Sequence, residues 1–150
     1  LIEAQGKISA AAKKNWVWWR LPVPGVRRTD LEDLIEPQPT GVEWHTREQT
    51  ARLLGMMTDV NRAKVAEVQA SGERRVGTLY RRTRPDAESG VKVQRAEVRF
   101  DGVAGCLRTP AGGSSRQTII EVDGDSIRTR LLSPREAARL RALLSAVLIA

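Results

Sequence analysis

Thr118-Ile119-Ile120-Glu121-Val122-Asp123-Gly124-Asp125-Ser126-Ile127-Arg128-Thr129-Arg130-Leu131-Leu132-Ser133-Pro134-Arg135-Glu136 reads as a strand, a tight turn, a returning strand and the start of a helix. Thr118 to Val122 is rich in β-branched residues, which suit a pleated, packed surface. Asp123-Gly124-Asp125 is a hairpin-turn signal, so Ile127 to Leu132 returns as the antiparallel partner. Ser133 is a capping residue, Pro134 fits the first helical position, and Glu136 stands where it can reach back to the cap. Ala137, Ala138, Leu140, Leu143, Leu144 and Val147 carry the helix on.

Upstream, Val76, Thr78 and Tyr80 alternate with smaller or charged residues, and Val91, Val93, Ala96, Val98 and Phe100 follow a turn at Asp86–Gly90. Residues 73–132 are therefore expected to be β-rich. Between Thr46 and Ala70, apolar residues recur at a spacing of three or four through Leu53, Leu54, Met57, Val60 and Val68, which predicts one long scaffold helix over 46–72 that stops at Gly72. Residues 1–45 read as a linker and Trp/Pro-rich segment. Within it, 1–14 form a short helix weakened by Gly6, and Thr29 caps a turn of helix through Leu31, Leu34 and Ile35. Trp16, Trp18 and Trp19 read first as sealing a small core or an interface, and alternatively as stacking on bases. With 133–150 as the C-terminal helix, the expected fold is a single α+β domain. It comprises a small twisted antiparallel sheet with long loops, one long scaffold helix and a capped C-terminal helix.

Charge narrows the function classes. The chain has a formal net charge of +7 and a pI near 10.5, which suggests a polyanionic partner. Of its 25 basic residues 20 are Arg, whose planar fork suits phosphate and the guanine edge; a G- and C-rich coding sequence would also favour Arg. Residues 72–116 hold 10 basic and 5 acidic groups, whereas the segments on either side are nearly balanced. A concentrated patch is a better phosphate-binding sign than a uniform excess. One cysteine allows no internal disulfide and, with one histidine, no ordinary zinc site. No apolar run reaches the length of a membrane helix, and the first residues do not form a secretory signal. The expectation is a cytoplasmic protein with no membrane partner.

Gln94 to Gln117 carries the most chemistry. A strand leads into a loop containing Arg108, Thr109, Gly112, Gly113, Ser114, Ser115 and Arg116, and a second strand follows. Paired glycines let backbone approach a partner closely, the serines offer small donors, and successive backbone N–H groups can hold a phosphate. Composition alone favours an ordinary hairpin with a polar tip. The candidate phosphate contacts are Arg81, Arg82, Arg84, Arg95, Arg99, Arg108 and Arg116. Base reading is expected from the 107–117 loop, with Arg116 and Gln117 the best readers by chemistry, and from 80–92.

This arrangement resembles the target-recognition region of the cytosine-5 DNA methyltransferases, in which a Thr-Leu pair precedes a Gly-Gly loop at the DNA. The matching elements are Cys106-Leu107 and Gly112-Gly113; Cys106 replaces the hydroxyl of Thr. Residues 130–140, RLLSPREAARL, are similar to the family's motif IX through Arg130, Leu132, Pro134, Arg135, Glu136, Arg139 and Leu140. In the family this segment organises the recognition domain, which implies structural roles for Arg130, Pro134, Arg135 and Glu136. Residues 20–37 look like the linker after the catalytic half. The likeness covers about residues 20–140 and stops at Arg141, where an apolar tail replaces the family's continuation.

The resemblance implies double-stranded DNA as partner, a catalytic methyltransferase domain in cis or in trans, and S-adenosylmethionine as cofactor of the complete enzyme, as in DNA methylation of the restriction-modification kind. The chain has no Pro-Cys nucleophile turn, no Glu-Asn-Val element and no Gly-rich cofactor loop. It is therefore expected to be a fragment that binds no cofactor, has no catalytic residue and is inactive alone. The alternative is a freestanding basic nucleic-acid-binding module. A structural protein with incidental charge is a third class.

Overall fold

The computed structural model describes residues 2–18, 29–86, 89–107 and 116–148, with side chains to residue 141. Ten elements follow in order: α1 (Ile2–Gly6), α2 (Ala10–Lys14), α3 (Leu31–Leu34), α4 (Arg47–Gly55), α5 (Asp59–Ser71), β1 (Arg75–Pro85), β2 (Lys92–Arg99), β3 (Thr118–Asp123), β4 (Ser126–Leu131) and α6 (Pro134–Leu148). The four strands form one antiparallel sheet in the order β2-β1-β3-β4. The fold is α+β, as the sequence pattern leads one to expect.

Helices cover both faces of the sheet's lower half. On one face, Leu79, Ala96, Val98, Ile120 and Val122 pack against Met57 and Val65 from the α4–α5 unit. On the other, Val76 and Ile119 pack against Leu31, Ile35, Leu132 and Leu140, from α3, α6 and their flanks. Strand residues alternate between faces, so a run such as Ile119-Ile120 is buried on both sides. Gly77 lies where the sheet is tightest: a Cβ there would stand 2.5 Å from the Arg99 carbonyl oxygen and 2.6 Å from the Phe100 ring.

Three local expectations differ from the structure. The single scaffold helix is two, α4 and α5, separated at Met56–Thr58. Met57 there forms a parallel bridge to Ala96, and the Ala96 amide donates to the Met56 carbonyl at 3.1 Å. The break resets the helical phase, so Val65 is buried while Val60 is 69% exposed. The α3 cap is Asp30, in a capping box with Asp33, one residue after the expected Thr29. The N-terminal helix is divided after Gly6 and restarts at Ser9, whose hydroxyl accepts from the Ala12 amide.

Turn chemistry matches the sequence. Gly72 closes α5 in the left-handed region at φ 68°, and Gly124, at φ 53°, opens the two-residue turn between Asp123 and Ser126. Among the described residues no helix is long and apolar enough to cross a membrane. We predict that Gly77→Ala lowers unfolding free energy by roughly 1–3 kcal/mol, because the strand backbones must part to admit the methyl group; urea denaturation measures the loss.

Candidate functional site

β1 is longer than its neighbour β3. Its pairing with β3 ends at Leu79↔Thr118, whereas its pairing with β2 continues to Pro85↔Lys92. Tyr80–Pro85 and Lys92–Glu97 therefore run on as a two-stranded ribbon beyond the four-stranded sheet. Its turn is held by Asp86, whose amide donates to the Val91 carbonyl at 2.8 Å and whose carbonyl accepts from Gly90 at 3.0 Å; Ala87 and Glu88 lie outside the described residues. A two-stranded ribbon has the width of the DNA major groove.

Alternation sorts the ribbon's charges. Tyr80, Arg82 and Arg84 share one face of β1 with Val93, Arg95 and Glu97 of β2, through the pairs Tyr80↔Glu97, Arg82↔Arg95 and Arg84↔Val93. Arg81, Thr83, Lys92 and Gln94 occupy the opposite face and are exposed. Arg84 donates to Glu97 through Nε and Nη2, at 3.3 and 3.2 Å, and Arg82 Nε is 3.5 Å from the same carboxylate. The Arg82 guanidinium also lies over the Tyr80 ring, 4.8 Å from its centre. Arg95 pairs with Asp86 at 2.7 Å. At the ribbon's foot Arg99 pairs with Asp101. Arg81 makes no ion pair among the described residues.

The remaining sequence candidates fall in three places. Arg108, Thr109, Gly112, Gly113, Ser114 and Ser115 lie outside the described residues, as does Trp19. Cys106 and Arg116 are exposed, and Leu107 packs on the α3/α6 side of the core. Gln117 is turned inward: its amide donates to the Leu79 carbonyl at 3.3 Å, and a Cβ on Gly105 would stand 2.4 Å from its oxygen. In this conformation it does not present its amide as a base reader. The same contacts bring Gly105 and Gln117 together where β1 leaves the sheet. Trp16 and Trp18 are exposed and tilted against each other, with ring centres 5.5 Å apart. Neither joins the core formed by the described residues.

Below the ribbon, Arg130 and Glu136 form a fully buried pair. Arg130 forks onto both carboxylate oxygens, Nη1 to Oε2 at 2.8 Å and Nη2 to Oε1 at 2.7 Å. Oε2 also accepts the Ser133 amide, and Oε1 the Glu36 amide, each at 2.8 Å. Arg130 donates further to the Leu131 and Glu36 carbonyls, and Trp44 lies beside it at 5.1 Å. Burial alone would push the Glu136 carboxyl up. Hydrogen bonds from Arg130 and the Ser133 and Glu36 amides, with the Arg130 charge, outweigh it, and the group sits below its ordinary value of 4.5. Pro134 opens α6. Arg135 and Arg139 reach Glu36, at 3.7 and 3.1 Å. Glu121 is likewise held low: burial pushes it up, and hydrogen bonds from Arg128 and Arg74 more than offset that.

Sequence reasoning missed Glu97 and Tyr80 on the ribbon, and Glu36 and Trp44 at the buried pair. The alternation of Arg82 and Arg84 signals a shared face, but their carboxylate partner depends on the hairpin register. Among the described residues no group of His, Cys, Asp and Glu is arranged to hold a metal ion. An open hollow of about 560 Å³ between α4 and the β3–β4 hairpin, lined by His45, Arg47, Thr50 and Arg128 among others, gathers no reactive constellation. No protein-family profile, curated protein or solved structure matches this chain.

Glu136 and Glu121 carry depressed values in the folded chain, so their contribution to stability is present above about pH 4.5 and is lost as pH falls below it. We predict that Glu136→Gln costs about 3–5 kcal/mol at neutral pH, because Arg130 is left buried without its counter-charge. The variant should also lose less stability than the wild type between about pH 5 and about pH 3. Urea titrations across that range check both.

Proposed function

We propose that this chain is the DNA-contacting recognition unit of a cytosine-5 DNA methyltransferase, acting with a catalytic domain supplied in cis or in trans. One observation carries the DNA-binding part of this reading: a two-stranded ribbon projects from a helix-covered sheet and bears Arg81, Arg82, Arg84, Lys92 and Arg95. Backbone phosphates dominate protein–DNA affinity, and guanidinium forks suit them. The guanidiniums of Arg82 and Arg84 are half-exposed in their pairs with Glu97; pairs at the surface are individually weak, so these groups can exchange a carboxylate for a phosphate at small cost.

The methyltransferase part rests on the likeness of residues 130–140 to motif IX, and the geometry gives that likeness a physical content. Arg130, Glu136, Leu132 and Leu140 of the motif are buried, and Arg135 and Arg139 both approach Glu36. The segment therefore clips β4 and α6 to the connector before α4, in keeping with a role in organising the recognition domain. In this reading the ribbon approaches the duplex, and the missing domain supplies the nucleophile and S-adenosylmethionine for an extruded cytosine.

The test is fluorescence anisotropy with a labelled duplex across a salt series. The wild-type chain should bind at low ionic strength, with affinity falling steeply as salt rises. Arg82→Ala with Arg84→Ala should weaken binding roughly tenfold and flatten the salt dependence. Wild-type binding that is absent or insensitive to salt would remove the nucleic-acid reading altogether.

A further inference from the structure

Arg82 and Arg95 are directly opposite one another across β1 and β2. Like charges in that position ordinarily oppose strand pairing. Here each turns to a different carboxylate, Arg95 to Asp86 and Arg82 to Glu97. Arg84 also bends back along the ribbon to Glu97 instead of extending from the tip. One carboxylate thus gathers two guanidiniums, and Tyr80 supports one of them from beneath.

Exposure on the two sides of this cluster is unequal. The Glu97 side chain is 23% exposed, whereas those of Arg82 and Arg84 are 52% and 51% exposed. A guanidinium carries five N–H donors. Arg84 gives Nε and Nη2 to Glu97, Arg82 presents Nε to it, and the other N–H groups of each fork make no hydrogen bond among the described residues. The two forks are held close together with unused donors. A phosphodiester offers the same kind of acceptor, two oxygens sharing a negative charge, and engages such forks in the same way.

We infer that Glu97 is an internal stand-in for a DNA phosphate: it holds Arg82 and Arg84 together in the free protein and gives them up to the backbone of the bound duplex. This rests on the reading of the ribbon as a DNA-binding element and adds a control to it. The carboxylate orders the forks before binding and then competes with the ligand for them. Weakly held anions are outcompeted, and only a partner that supplies several phosphates at once displaces it. Glu97 acts through the two arginines and is a positioning residue for the interface.

The experiment compares Glu97→Gln with Glu67→Gln, a change of equal charge on an exposed position of α5. In duplex anisotropy at low salt, Glu97→Gln should bind about three- to fivefold tighter than Glu67→Gln. That gain should vanish when Arg82→Ala and Arg84→Ala are added. Equal affinity of the two Gln variants, or a gain that survives loss of both arginines, overturns the inference while leaving DNA binding intact. Failure of the wild-type chain to bind any duplex sinks both. A measurement on the wild-type chain needs no substitution at Glu97: its carboxyl ¹³C resonance and the Nε–H resonances of Arg82 and Arg84 should shift together on adding duplex. A Glu97 carboxyl resonance that stays fixed at saturation also overturns the inference.

Discussion

The buried pairing of Arg130 with Glu136 is the constraint around which the rest of the fold is arranged. Taking two charges out of water is expensive, and an ion pair repays that only when the remaining donors and acceptors are satisfied. The carboxylate side meets the condition, since its two oxygens accept four hydrogen bonds, two from Arg130 and one each from the Ser133 and Glu36 amides; on the Arg130 side Nη1 and Nη2 are engaged and Nε has no partner among the described residues. Those partners come from three places in the chain. β4 supplies Arg130, the start of α6 supplies Ser133, and Glu36 lies just beyond α3. One carboxylate fixes the exit of the sheet, the cap of the last helix and the path of the connector.

This joint has consequences for the opposite end of the sheet. With α3 and α6 held on one face and α4–α5 on the other, the lower sheet is buried on both sides. Above Leu79 the helices reach only Ala96, which is buried against Met57. Beyond it β1 and β2 extend as a charged ribbon with most of its β1 side chains exposed. The division is physical: apolar and pleated below, cationic and projecting above. A two-stranded, arginine-bearing extension raised on a helix-covered base has the shape and charge to enter a groove.

Much of the fold was legible in the sequence because its signals are local. Asp123-Gly124-Asp125 specifies a tight hairpin, Ser133-Pro134-Arg135-Glu136 a capped helix, and Gly72 a helix stop. The division of the scaffold helix was hidden because its cause is distant: Met57 leaves helical geometry to bridge Ala96, a residue of another strand. Val60 follows the apolar rhythm of Leu53 and Leu54 but falls on solvent once that break shifts the phase. The site was legible in composition and hidden in pairing. Arg82 and Arg84 stand out in the sequence, whereas the role of Glu97 depends on a register fixed only when the ribbon closes. Gln117 has the right chemistry for base reading, and its backbone contact with Leu79 turns it inward.

We propose that the ribbon, raised on a sheet clamped by Arg130 and Glu136, is the surface that meets duplex DNA. Amide hydrogen exchange of the full chain with and without a saturating duplex tests it most directly. Exchange should slow across 80–85 and 92–97, with α4 and α5 unchanged. Protection confined to the helices, or a ribbon that exchanges at the same rate in the bound state, would contradict it.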